Sequence, residues 1–123
     1  VKSHFESDWE VCGKVIKELY PDLSEEFVNL DSNYLIYTCN IYIMSKRLFL
    51  DYFSMLYAIL ERVRVSIDFE NRNAQETRAL GYLAERIFTA FVSLKRKEGT
   101  TTIKELPLAR VDPPRTPTLN KAE

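Results

Sequence analysis

The sequence is poor in the groups that most often carry chemistry. It holds one histidine, His4, near one end of its 123 residues. A Ser-His-Asp or Cys-His relay needs an imidazole beside its nucleophile, so a device of that kind is not expected. Two cysteines, Cys12 and Cys39, stand in unrelated contexts with no CxxC spacing. One histidine and no paired thiols leave a zinc site short of ligands, and no metal site is expected. Free thiols in a reducing compartment are the plain reading of the two cysteines, and one bridge between them stays open. An excess of one charge is also missing: 17 Lys and Arg stand against 18 Asp and Glu. Without a basic footprint, no nucleic-acid partner is expected. No apolar run reaches the roughly 18–20 residues of a membrane-spanning helix. Glycine is scarce, with three residues, so one placed inside a helical pattern asks for a reason.

What is present suits one domain with a sizeable core. Hydrophobic residues make up 46% and charged residues 28%, and Tyr and Phe occur seven times each. That balance is globular, not disordered. The chain opens on Val1 rather than Met, and an incomplete chain is expected.

Residues 1–7 read as irregular, with Ser7 or Asp8 capping a helix to about Tyr20. Trp9, Cys12, Ile16, Leu19 and Tyr20 repeat at helical spacing, and Pro21 ends the run. Ser24-Glu25-Glu26 starts a short helix, which Asp31-Ser32-Asn33 breaks. YLIYTCNIYIM is rich in β-branched and aromatic residues, which predicts a buried strand from Ile36 to Met44. Asn40 inside it either satisfies neighbouring backbone or faces a ligand cleft, since a buried amide needs partners. Ser45 caps a long helix to about Ile67, with Lys46 and Arg47 an unusual choice for a first turn. Phe49, Tyr52, Phe53, Leu56, Ile59, Leu60 and Val63 make its stripe. A polar connection over 68–73 leads to a helix from Ala74 to Lys95, which Gly99 stops. Residues 100–108 read as a strand or extended segment, and three prolines after Asp112 predict a disordered tail over 112–123.

In the last helix, ALGYLAERIF places a glycine and a Glu-Arg pair inside an apolar run. At about 100° per residue, Leu80, Leu83, Ala84, Ile87, Phe91 and Leu94 gather on one side. Arg78, Tyr82, Glu85 and Thr89 fall on the other, with Gly81 to the side and one turn before Glu85. The plain reading is a solvated polar face with the glycine packed under a neighbour. The sharper reading is a cleft wall: Glu85 as a base or sugar-hydroxyl acceptor, Arg78 or Arg86 on an anion, and Gly81 making room.

Several short motifs in order resemble one family. They are Asn40-Ile41-Tyr42-Ile43-Met44, Phe49 with Tyr52, Arg78, Gly81-Tyr82-Leu83-Ala84-Glu85-Arg86-Ile87 and Glu105-Leu106-Pro107. The stretch from Asp8 to Val111 resembles the C-terminal half of bacterial capsular- and exopolysaccharide glycosyltransferases, some of them described only as a domain of unknown function. The resemblance implies a GT-A-like enzyme that moves a sugar from a nucleotide donor to a hydroxyl of a growing capsular, exopolysaccharide or lipopolysaccharide glycan. It implies a UDP-sugar donor, with galactose one option. Any divalent metal is left to an N-terminal half, as no Asp-x-Asp occurs here. By the resemblance Glu85 is the candidate catalytic base, and Asn40, Arg78, Tyr82 and Arg86 are candidate substrate-binding residues. A carboxylate near the acceptor hydroxyl takes its proton as the bond forms. Guanidinium forks suit a diphosphate or hold the carboxylate in place.

The expected architecture is therefore α+β and mostly helical, with two long helices packed on a short sheet. Residues 1–111 form the acceptor-side region of an incomplete domain, which alone is expected to be inactive. Its expected place is the cytoplasm, with a peripheral association at the inner membrane and self-association through an uncovered apolar face. The alternative is a non-catalytic helical interaction domain that binds a protein partner.

Overall fold

A computed structural model of the chain describes residues 4–32, 36–109 and 111–112. Helix α1 runs over His4–Leu19 and α2 over Pro21–Val28, followed by a 3₁₀ turn at Asn29–Ser32. Helix α3 spans Lys46–Ser66, a second 3₁₀ turn covers Glu76–Arg78, and α4 spans Ala79–Glu98. Helix α1 touches each of the other three, α2 lies along α4, and α3 closes on α1 and α4. The core forms where they meet: Cys12, Val15 and Ile16 from α1; Leu23 and Phe27 from α2; Tyr52, Ile59 and Val63 from α3; Leu83, Ile87 and Phe91 from α4. Trp9 stacks on Phe27 with ring centroids 4.2 Å apart, and Tyr52 packs edge-on against Phe88 at 5.5 Å. The Tyr52 hydroxyl is buried there without a hydrogen-bond partner. No helix among the described residues is long and apolar enough to cross a membrane.

Local chemistry explains several of the helix ends. Ser45 stands at φ −60, ψ 151, and its hydroxyl accepts from the Leu48 amide at 3.3 Å. That satisfies one orphan donor of the first turn, as expected. Gly99 takes φ 72 and closes α4 by donating to the Lys95 carbonyl. A side chain there would strain the left-handed conformation. Ahead of α4, Asn73 Oδ1 accepts from the Glu76 amide at 2.8 Å while Glu76 Oε2 accepts from the Asn73 amide at 2.9 Å. The exchange is a capping box.

Three expected boundaries move. The last helix, expected from Ala74, begins at Ala79 behind the 3₁₀ turn at Glu76–Arg78. Helix α1 already runs at His4, so Asp8 lies inside it rather than at its cap. Pro21 does not just end α1; it sits in the first turn of α2, where its missing N–H costs nothing. Residues 113–123, most of the expected tail, lie outside the described residues.

The larger correction concerns fold class. Among the described residues there is no strand, so the expected sheet and the α+β class are overturned: the fold is helical. Residues 36–44 form neither helix nor strand. Their backbone turns sharply at Cys39 and Asn40, with φ 73 and 47, and lies across α4. The Tyr37 amide donates to Thr89 Oγ1 at 3.0 Å and the Cys39 amide to Glu85 Oε1 at 3.2 Å. Side chains of a helix thus take the place of a neighbouring strand. The β-branched and aromatic content of this segment reflects a half-buried surface, which a helix also provides. Residues 102–109 likewise form neither helix nor strand.

Candidate functional site

Helix α4 carries three of the five predicted site residues, Tyr82, Glu85 and Arg86, with Arg78 in the 3₁₀ turn just ahead of it, and the segment over 36–44 decides which stay accessible. The face expected to be solvated is covered over its middle turns, where Thr89 is buried beside Phe88. Thr89 takes the Tyr37 amide and itself donates to the Glu85 carbonyl at 2.9 Å. Toward the start of α4 the cover ends. Arg78 and Gly81 are exposed and Tyr82 is half-buried.

Glu85 stands at the edge of that cover. One carboxylate oxygen receives the Cys39 amide. The next residue along the turn is Asn40, exposed and left-handed. The structure therefore brings Asn40 and Glu85 to one place, through a turn rather than through a strand. Two successive non-glycine residues at positive φ are costly, on the order of 1–2 kcal/mol each. Such strain gathers where the surroundings hold a conformation for use. Asn tolerates it better than Cys, because its short amide bonds locally.

Gly81 gives a different answer from the expected one. A Cβ built on it would meet nothing within 4 Å. No neighbour within the described residues needs the glycine. Its bare backbone faces outward, one turn ahead of Glu85, beside the exposed Arg78. The Arg78 guanidinium lies over the Tyr82 ring at 5.6 Å.

Arg86 goes elsewhere. It donates to the Tyr82 carbonyl at 3.0 Å and lies over the Phe5 ring at 4.7 Å and Trp9 at 5.9 Å. There it lines an open cleft of about 510 Å³ with Phe5, Glu6, Trp9, Glu10, Leu30 and Ile36. Tyr82 lines a second cleft, of about 310 Å³, with Asp8, Arg72 and Glu76 among its walls. Neither cleft takes in Asn40, Arg78 or Glu85. The five residues are therefore split. Asn40, Arg78, Tyr82 and Glu85 follow the outward face of α4 and the turn on it, while Arg86 is held against α1.

Sequence reasoning missed the most buried charged pair. Arg72, in the connection before α4, reaches Asp8 of α1 with two hydrogen bonds of 2.6 and 2.8 Å. The side chains are 3% and 2% exposed. Arg72 also donates to the carbonyls of Asp68 and Glu76 and lies over the Phe69 ring. Asp8 holds the guanidinium pKa above its ordinary value, chiefly through the hydrogen bonds. A signal existed: Asp8, Cys12 and Ile16 share one face at helical spacing, so an acid stood in phase with core residues.

The cysteines are free, Cys12 buried and Cys39 exposed. Burial pushes the Cys12 thiol up to about 12. No group of three His, Cys, Asp or Glu among the described residues is arranged to hold a metal ion.

A family model described as a domain of unknown function, DUF4422, matches residues 1–97. The chain belongs to the DUF4422 family. All five candidate residues lie within the stretch that defines this DUF4422 chain, as do the Cys39–Asn40 turn and the Asp8–Arg72 pair. No curated protein and no solved structure matches it.

Proposed function

We propose that this DUF4422 chain provides the acceptor-side surface of a nucleotide-sugar-dependent glycosyltransferase that extends a bacterial capsular, exopolysaccharide or lipopolysaccharide glycan. The acceptor lies along the start of α4. Glu85 takes the proton of the attacking hydroxyl, and Arg78, Tyr82 and Asn40 contact sugar hydroxyls or the donor diphosphate. The UDP-sugar and any divalent metal are bound chiefly by chain outside this stretch. Arg86 serves from beneath, fixing α4 to α1 rather than touching substrate. The ordered motifs from Asn40 to Pro107 support the reading.

The observation that carries it is Gly81. A mid-helix glycine costs roughly 1 kcal/mol relative to alanine. Nothing within 4 Å of its Cβ position requires it. Bare backbone beside an exposed arginine and a carboxylate leaves room for a sugar ring to approach the helix.

Ligand-detected NMR with UDP-sugars and short oligosaccharides tests this. Gly81→Ala is expected to stabilise the fold by up to about 1 kcal/mol. Gly81→Leu, which keeps the helix but fills the space, is expected to abolish glycan contact. Arg78→Ala and Glu85→Gln are expected to weaken it. Oligosaccharide binding unchanged by all of these, or no binding by a folded chain carrying its upstream sequence, sinks the reading. The competing reading, a non-catalytic helical interaction domain, rests on the exposed rings of α3 and predicts no glycan contact at α4.

A further inference from the structure

The first turn of α3 is built against its own helix. It contains Lys46 and Arg47 and no acid. Cations at a helix N-terminus add to the positive end of the dipole and disfavour the helix. Both are exposed and have no role in the core. Beside them runs an uncovered apolar stripe. Phe49, Leu50, Phe53 and Tyr57 are 38, 51, 49 and 61% exposed. Phe49 stacks on Phe53 at 5.7 Å and Phe53 on Tyr57 at 6.4 Å, so the rings form a continuous row. Ile43, two residues ahead of the Ser45 cap, is 96% exposed. Apolar residues gathered so closely on a surface mark a contact site.

We propose that the N-terminal half of α3, with Ile43, is a docking face for an anionic lipid surface. Ile43, Leu50, Phe49 and Phe53 enter the headgroup boundary, and Lys46 and Arg47 pair with lipid phosphates. Charge decides the occupant. The dipole end and the two cations concentrate positive potential where the apolar side chains are most exposed, which is the combination that interfacial helices use. Lys46 stands in line with the rings, while Arg47 shares its flank of the helix with Asp51, one turn on. A second copy in parallel register would bring Lys46 and Arg47 against the same cations, and antiparallel packing would carry them toward Glu61, whose carboxylate is already paired with Arg64. The inference does not depend on the sugar-transfer reading.

Co-sedimentation with phosphatidylcholine vesicles, with and without phosphatidylglycerol, tests it. The chain is expected to bind the anionic vesicles and to leave them as salt rises. Lys46→Glu with Arg47→Glu is expected to lower the partition roughly tenfold or more. That pair replaces exposed residues with ones the helix dipole favours, so folding is retained, as circular dichroism will show. Leu50→Glu with Phe53→Glu is expected to abolish binding. Three outcomes overturn the proposal: no binding by the folded chain, equal binding to neutral vesicles, or binding indifferent to the charge reversal. A dimer in sedimentation velocity that Leu50→Glu with Phe53→Glu dissolves also overturns it and gives the face to a second copy.

Discussion

The two ends of α4 are tied down by opposite means. Ahead of it, the connection over 68–78 plugs Arg72 into Asp8, a two-bonded pair shut away from water. Beyond its middle, Arg96 donates to the Tyr37 hydroxyl at 2.7 Å and to Glu105 at 2.8 Å, while Tyr37 donates to the same carboxylate. That second cluster joins three segments, and its ion pair is about half exposed. Water separates the two in energy. A buried charge that loses its partner keeps its full desolvation cost, whereas an exposed one is rehydrated. The first tie is a condition of folding; the second orders a surface segment at small cost to break.

Removing one member of the buried pair gives the largest effect. Asp8→Ala is expected to destabilise the fold by about 3–5 kcal/mol, read from urea unfolding, because Arg72 stays buried and unpaired. Asp8→Leu with Arg72→Met is expected to recover much of that loss, since a well-packed apolar pair needs no compensation. A single-variant cost below about 1 kcal/mol, typical of an exposed pair, would erase the contrast between the two ends.

Between those extremes lies Thr89, the buried hydroxyl that takes the Tyr37 amide and bonds the Glu85 carbonyl. Thr89→Val keeps the shape and removes the acceptor. The expected cost is about 1–3 kcal/mol, the penalty of an amide left without its partner. The Cys39–Asn40 turn should loosen with it, visible as faster amide exchange at Cys39.

The contrast also separates what could be read from the sequence from what could not. Ser45, Gly99 and the stripes of α3 and α4 were legible because caps and periodicity are local. Tyr52, Ile59, Val63, Leu83, Ile87 and Phe91 are buried as their spacing predicts. Phe49 and Phe53 share the apolar stripe yet are exposed, since periodicity shows a face and not what covers it. The sheet failed for a related reason. Residues 36–44 have a strand's composition, but their amides bond to Thr89 and Glu85, and no local rule names a partner 46 or 52 residues away. The same covering segment turned the expected solvated face of α4 into a buried one at Thr89. Of the site, the placement of Asn40 beside Glu85 followed from that long-range contact, and Arg86 drew away because Phe5 and Trp9 offered it aromatic faces.

The smallest effect tests the exposed tie by pH. The Tyr37 hydroxyl, and then Arg96, hold the Glu105 carboxyl below its ordinary pKa. A pKa lower in the folded state means the contact stabilises above the unfolded value, about 4.3 for glutamate, and is lost as pH falls through the folded one. Tyr37 moves the other way, raised first by burial and then by the bond to Glu105. Only acid below that unfolded value should therefore free residues 104–108 from α4 while the helices stay folded. NMR resonances of Lys104, Leu106 and Leu108 are expected to shift in that window in the native chain and to be displaced at neutral pH in Glu105→Gln. The urea midpoint should barely move in either case. Simultaneous loss of the helical signal would mean that this surface cluster, like the Asp8–Arg72 pair, is part of what folds the domain.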